Sequence, residues 1–395
     1  MTNRFVILLT GLLLGLNAFA NDILLPTFTT IASDLNTPIE SVQALIPIFL
    51  IAAGCGQLYS GPASDRYGRR PLLVAGLSLF IVGTAICAIA QSIFGLQVGR
   101  VVQGLGAAFG VVVARATLRD TQSGPALARS MALAMSIFSF GPIAAPLVGV
   151  GLLYIGGWRA TFGGVLIVAL ALLLLTLWGH RETHQNRNPH ALEPSRMLAA
   201  VLRVLKHPQS RRYLAVACLQ QALIIIMISN SPRLFKSAFG IEGFWFAFLF
   251  ALTALGIVIG QFTNHRIIAW LGTVKAARAA GVLLLIDCLA MALLFRMGWL
   301  TAPVFIAAIT IFNMGFLVVL ANAASLVLDP HPEIAGVTAS LFGFATQISG
   351  SVIALMTLEW IQGQMLNWTL LMAALSAAVV TLLFTPMRRA ANDLI

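Results

Sequence analysis

Apolar residues run in long blocks along this chain, and polar residues gather between the blocks. The blocks approach the ~20 apolar residues that a helix needs to cross a bilayer. They do not alternate at period two, so helices are predicted rather than the strands of a barrel. In lipid every backbone group must be satisfied within its own segment or closed sheet, which leaves helices as the spanning form here. Twelve spans follow, at roughly 5–31, 41–61, 71–91, 95–118, 129–153, 160–179, 210–232, 243–264, 278–297, 301–324, 334–357 and 366–386. The connections are short except for 180–209, which is polar and densely charged. The pattern therefore predicts an all-α integral membrane protein of twelve transmembrane helices in two six-helix bundles, residues 1–179 and 210–395, joined by the linker 180–209.

A short internal match fits that division. Ala52-x-x-x-Gly56-Gln57 in span 2 corresponds to Gly256-x-x-x-Gly260-Gln261 in span 8, 204 residues later. Two similar bundles related by an axis along the membrane normal suit alternating access, with a substrate site near the midplane between them. Small residues at helix contacts would give the same match by chance, so it counts only together with the span pattern.

Composition agrees: of 395 residues, 59% are hydrophobic and only 9% charged, against about 25% charged in a soluble domain. The net charge of +11 does not mean nucleic acid. Of the 24 Lys and Arg, 19 fall on the N-terminal side of the predicted topology, among them Arg4, Arg66, Arg203, Arg388 and Arg389. The positive-inside rule then places both termini in the cytoplasm, and the charge reflects topology and contact with anionic lipid. The four cysteines all lie inside spans, and no His, Cys, Asp or Glu spacing calls for a metal. Residues 1–20 imitate a secretory leader, with Arg4, an apolar core and Ala18-Phe19-Ala20. Cleavage there would remove a span and move the positive charge outside, so the segment is expected to stay.

The densest chemistry is Gly61-Pro62-Ala63-Ser64-Asp65-Arg66-Tyr67-Gly68-Arg69-Arg70, between spans 2 and 3. Gly61 and Gly68 permit close approach and a tight turn, and the arginines suit an anionic leaflet. Inside the spans, Asp22 and Arg100 are the charges of most consequence. A carboxylate in a span is costly and marks an ion path when it faces a cavity; a carboxyl bonded near the outer interface is the plainer reading. Arg100 equally suits snorkelling to that interface. Asp287, in span 9, reads best as a neutral carboxyl bonded to a neighbouring helix.

At these residues the sequence resembles the major facilitator superfamily. Gly61-x-x-x-Asp65-Arg66-x-Gly68-Arg69-Arg70 is similar to its motif between spans 2 and 3. Arg100-x-x-Gln103-Gly104-x-Gly106-x-Ala108 resembles the span-4 motif of its drug:proton antiporters. Gly141-Pro142-x-x-Ala145-Pro146-x-x-Gly149, followed by Gly157-Trp158-Arg159, resembles their antiporter motif, and Asp22-Ile23-Leu24-Leu25-Pro26 looks like the start of the bicyclomycin/chloramphenicol-resistance subfamily. Leu14 stands where some members carry a second acidic residue, which tells against carrying over a two-proton scheme.

The resemblance implies a proton-coupled efflux antiporter for drugs or small molecules in a bacterial inner membrane. No cofactor is expected beyond the proton itself; the partners would be lipid and a small amphipathic or metabolite substrate, with no nucleic acid, and the chain would act as a monomer. Proton coupling would rest on Asp22 with Arg100, directly or through water or substrate. Gly61, Asp65, Arg66, Gly68, Arg69 and Arg70 would latch the cytoplasmic side in the outward-open state, with Asp65 meeting the start of span 11 and Arg115 or Arg119. Gly141, Pro142, Pro146 and Gly149 would bend or seal span 5.

Candidate cavity residues are Asn17, Asn21, Gln43, Gln220, Gln221, Asn313 and Gln347 for polarity, with Met131, Met135, Phe138, Met227 and Phe316 for an adaptable apolar wall. Gln57, Asn230, Asn322, Phe312 and Met314 are nearby alternatives. The same residues also suit a transporter of a dedicated metabolite such as a nucleoside, amino-acid derivative or siderophore. The short termini argue against a membrane sensor, and no nucleophile, metal or phosphate-cradle pattern suits an enzyme.

Overall fold

A computed structural model describes residues 3–184, 187 and 189–386; Arg388, Arg389 and the last residues of the predicted unit 210–395 lie outside them. Among the described residues, 11 helical stretches are long and apolar enough to cross a membrane. One of these, Arg129–Gly179, has 51 residues. At ~1.5 Å per residue it is more than twice the ~30 Å hydrocarbon thickness. It opens at Gly156 and Gly157, where Gly157 takes φ +69° and ψ −172°, a conformation accessible to glycine. The stretch is thus two crossings, and the described residues make twelve.

We number the spans α1 (Arg4–Asp34), α2 (Ile39–Tyr67), α3 (Arg69–Ile89), α4 (Ile93–Thr121), α5 (124–155), α6 (158–179), α7 (Pro208–Phe239), α8 (Gly243–Leu271), α9 (Thr273–Arg296), α10 (Ala302–Leu328), α11 (Pro332–Ile361) and α12 (Met365–Phe384). In the first six, α4 packs on α1, α2 and α3, and α1 lies along α5. In the last six, α10 packs on α7, α8 and α9, and α12 on α7 and α9. Contacts of α11 with both α2 and α7 join the two sets. The end carrying residues 61–70 and the linker is called the linker end below, and the opposite one the far end.

Lipid tails are as apolar as leucine, so helices associate through close packing at small residues. A Cβ on Gly56 of α2 would lie 2.6 Å from the Ala108 Cβ of α4, and one on Gly260 of α8 would lie 2.9 Å from the Met314 carbonyl of α10. The two matched sequence positions thus serve equivalent helix pairs. Gly256 is tighter still, its absent Cβ falling on the Thr310 carbonyl. Gly256→Ala is therefore expected to destabilise the protein by about 1–3 kcal/mol through overpacking, read as a lower melting temperature in detergent; an unchanged melting temperature would show that α8 and α10 can separate freely.

Span α1 is not one continuous helix. It is helical over Asn3–Asp22, turns, forms a 3₁₀ segment at Leu25–Thr27 and resumes at Phe28–Asp34. The Asp22-to-Pro26 spacing explains the break. Pro26 has no N–H to offer the Asp22 carbonyl four residues back, and its ring crowds it. The leader-like segment is packed into the bundle, with Val6, Leu9 and Leu13 buried. In the linker, which reads along the chain as polar and densely charged, a helix forms at Pro194–Lys206. Its register buries Val204 and turns Met197 and Val201 partly inward, a periodicity that the charged residues around it obscure.

Candidate functional site

The charged segment folds as a clamp around Arg69. Gly68 ends α2 at φ +103°, so α3 starts on the next residue. The first N–H groups of a helix lack internal partners and attract a carboxylate. Glu182, at the start of the linker, accepts from the Arg69 N–H at 2.9 Å and the Arg70 N–H at 3.2 Å. Burial would raise the Glu182 carboxyl, but backbone donors at His184, Arg69, Arg70 and Thr183 outweigh it and hold it below its ordinary value of 4.5. This cap is complete above that value and weakens as pH falls through the folded-state value.

The Arg69 guanidinium reaches Asp65 at 2.6 Å, Asp120 at 2.9 Å and the Ser64 hydroxyl. Thr183 donates to Asp120 at 3.2 Å, and Arg70 donates to the Leu177 carbonyl at 2.8 Å. Arg66 lies over the Tyr67 ring. The sequence reading misses Asp120 and Glu182, because nothing local links them to Arg69. Asp65 does not bond Arg115 or Arg119: its hydrogen bonds go to Arg69, while both arginines line a cavity with it. Asp120→Asn removes one charge-assisted contact, about 1.5–3 kcal/mol. It is expected to lower the melting temperature in detergent; an unchanged melting temperature would show that the contact adds nothing to the fold.

That cavity, about 560 Å³, opens at the linker end. Gly61, Asp65, Arg115 and Arg119 form one wall, and Glu333, Gly336 and Ser340 of α11 form the other. Higher up, α2 and α11 close together: Gly54 faces Gln347, and Gly343 faces the Gln57 amide. At the far end Gln43 donates to the Ser229 carbonyl at 3.1 Å and to Asn230 at 3.4 Å, and Arg233 pairs with Glu40. The far end is thus shut, and the cavity lies at the linker end, beyond the point where Gly61 faces the Ser340 hydroxyl.

Arg100 and Asp22 do not pair, contrary to a direct reading of the two charges. Arg100 is fully buried, with no snorkelling. It donates to the Leu45 carbonyl at 3.2 Å, the Ala20 carbonyl at 3.2 Å and Gln103 at 2.7 Å, and to the Asn21 side chain. Its guanidinium lies 4.2 Å from the Phe49 ring centroid, and Gln103 passes the chain on to Thr84 at 2.8 Å. The last carbonyls of a broken helix need donors, and Arg100 supplies one to the turn that ends at Asp22. On the other side, Gly149 of α5 lets the Ile23 carbonyl approach so closely that a Cβ would not fit. Asp22 is only 4% exposed, and its carboxyl has no hydrogen-bond or ion-pair partner among the described residues. It is therefore held in place by its backbone, with its own side chain free.

The other candidates divide. Asn21 donates back to the Asn17 carbonyl at 2.9 Å, and Gln221 donates to Gln347 at 3.2 Å across α7 and α11. Gln220 is fully buried with both amide atoms unpaired. Met227 is buried, and Phe316 nearly so. The backbone at Phe138 faces Gly15, and Gly141 of the same helix faces the Gly15 carbonyl, so this stretch of α5, with Met135, Pro142 and Pro146, runs along α1. Met131 instead packs with Val6, Leu118 and Ala134, and Asn313 donates to the Thr253 carbonyl at 2.9 Å inside its own set of helices. Both thus meet partners inside their own set of helices. No hydrogen bond reaches Asp287, whose Oδ2 is buried unpaired, so the expected neighbouring-helix bond is not made.

Known proteins match this chain along most of its length. The family model for the Major Facilitator Superfamily matches residues 10–355. A bicyclomycin resistance protein homolog from Haemophilus influenzae is 26% identical over 364 residues, covering 90% of this chain and 91% of that protein. The multidrug resistance protein MdtL of Shigella dysenteriae is 28% identical over 336 residues, covering 84% and 82%. A crystal structure of a D-xylose–proton symporter superposes with a TM-score of 0.76 at 14% identity, over 98% of this chain and 99% of that one. Twelve crossings, the clamp at residues 61–70 and these matches place the chain in the Major Facilitator Superfamily, as a multi-pass membrane transporter.

Proposed function

We propose that this chain is a proton-coupled antiporter that exports small amphipathic compounds from the bacterial cytoplasm, working as a monomer by alternating access of two six-helix halves. The observation that carries the reading is Asp22, a buried carboxyl without a partner at a break in α1. Ionisable groups in such positions mark ion paths, and broken spans are where transporters place coupling sites. The names of the bicyclomycin- and multidrug-resistance relatives support drugs as the cargo class.

The linker end faces the cytoplasm by its basic charge, so this conformation is inward-facing. Asp65 bonds Arg69 rather than the start of α11. The pairs Glu40–Arg233 and Gln43–Asn230 form the shut outer gate. A short, reducible bifunctional thiol reagent that bridges Glu40→Cys and Arg233→Cys is expected to stop transport, and reduction to restore it; transport that continues when cross-linked would remove these residues from the gate. The function itself is tested in proteoliposomes: an inward proton gradient should drive efflux of a bicyclomycin- or chloramphenicol-like compound. Movement that ignores the gradient would overturn proton antiport.

A further inference from the structure

The linker helix Pro194–Lys206 presents two different faces. Val201 and Val204 turn to the protein, where the helix packs on α7 and α11. The neighbouring face carries Leu198, Leu202 and Leu205, which are 59%, 43% and 37% exposed. Their spacing of four and three residues makes one continuous stripe along the helix. Lys206, one turn beyond Leu202, borders it, and Arg211 follows at the exposed start of α7. The third side faces the cavity: Arg196, Met197 and Ala200 line its mouth, and Arg203 pairs with Glu333 at the start of α11 at 3.1 Å.

Such a stripe has no place in water. The protein-facing and leucine faces adjoin, so the helix sits in a corner with the bundle on one side and an apolar medium on the other. It ends at His207, whose extended backbone leads directly into span α7, so its leucines lie close to where the chain enters the bilayer. Helices with an apolar face and basic flanks lie in the headgroup layer, and cationic residues there are drawn to anionic lipid.

We propose that residues 194–206 form an interfacial helix whose leucine face is covered by the anionic lipid surface of the membrane the chain spans. Through the Arg203–Glu333 pair, the lipid would hold one wall of the cavity mouth. The inference concerns where the helix lies and stands apart from proton coupling and from the identity of the cargo.

The test uses the full chain with its four native cysteines replaced by Ala and a fluorophore on Leu202→Cys, reconstituted in vesicles of phosphatidylcholine alone or mixed with phosphatidylglycerol. Nitroxide-bearing lipids should quench the label. Access of aqueous acrylamide, a neutral quencher that the lipid charge does not repel, should fall roughly fivefold when phosphatidylglycerol is added, the effect of about one surface cation, and Lys206→Gln should cancel that fall. Equal acrylamide access in both vesicles, or no nitroxide quenching, would overturn the proposal. So would protection that disappears when fewer copies are placed in each vesicle, because a second copy would then be the cover. Proton-driven efflux, measured separately, reports whether the labelled protein is folded, and its absence in wild type would count against the antiport reading alone.

Discussion

Asp22→Asn is expected to abolish uphill transport driven by a pH gradient while leaving downhill exchange of substrate intact. The argument rests on position. The carboxyl is buried and free of partners, while the backbone around it is pinned by Pro26, by Arg100 on the Ala20 carbonyl and by the close approach of Gly149. A free carboxyl changes its proton affinity when its surroundings change between water and protein, which is what alternating access would do to it. An amide keeps the shape and the polarity but cannot exchange a proton at working pH. One proton per cycle across a gradient of one pH unit supplies about 1.4 kcal/mol, or roughly tenfold accumulation. Wild type should approach that ratio, and the variant should stay near parity. Tenfold accumulation by the variant would remove Asp22 from coupling.

Arg100→Ala should have the largest structural effect of any single substitution considered. Its guanidinium serves two carbonyls and two side chains from α1, α2 and α4, all away from water. Leaving a buried acceptor without its donor costs about 1–3 kcal/mol, and here the orphaned groups include the last turn before Asp22. We expect a markedly lower melting temperature and loss of transport together. Arg100→Lys retains the charge but not the fork that spans these acceptors, so it should recover only part of either. Full stability in Arg100→Ala would show that other donors replace it.

Much of this arrangement is legible along the chain. Span number, the two long helix sets and the linker follow from apolar blocks whose length must match a bilayer. The break in α1 does not show in the apolar block 5–31, although the Asp22-to-Pro26 spacing holds its cause: the missing donor falls opposite the acid's own carbonyl. Contacts between distant segments are not legible in the same way. Asp120 lies 51 positions from Arg69 and Glu182 lies 113 away, and no local pattern pairs them. Arg100 and Asp22 look like partners because both are charges in spans, yet four neutral acceptors fill the arginine's donors first. Met131 and Asn313 have suitable chemistry for a cavity, but a helix has several faces, and packing decides which one meets the other half.

The sequence by itself determined the environment of this protein, its twelve crossings and the residue types at its two charged centres. Those depend on hydrophobic length and on local backbone chemistry, which are properties of contiguous segments. The tertiary structure alone decided that Arg100 steadies the turn at Asp22 rather than neutralising it, that Arg69 is clamped by Asp120 as well as Asp65, and that the far end is shut. Each of these depends on which helix faces meet across the bundle, and that is set by the packing of many side chains at once.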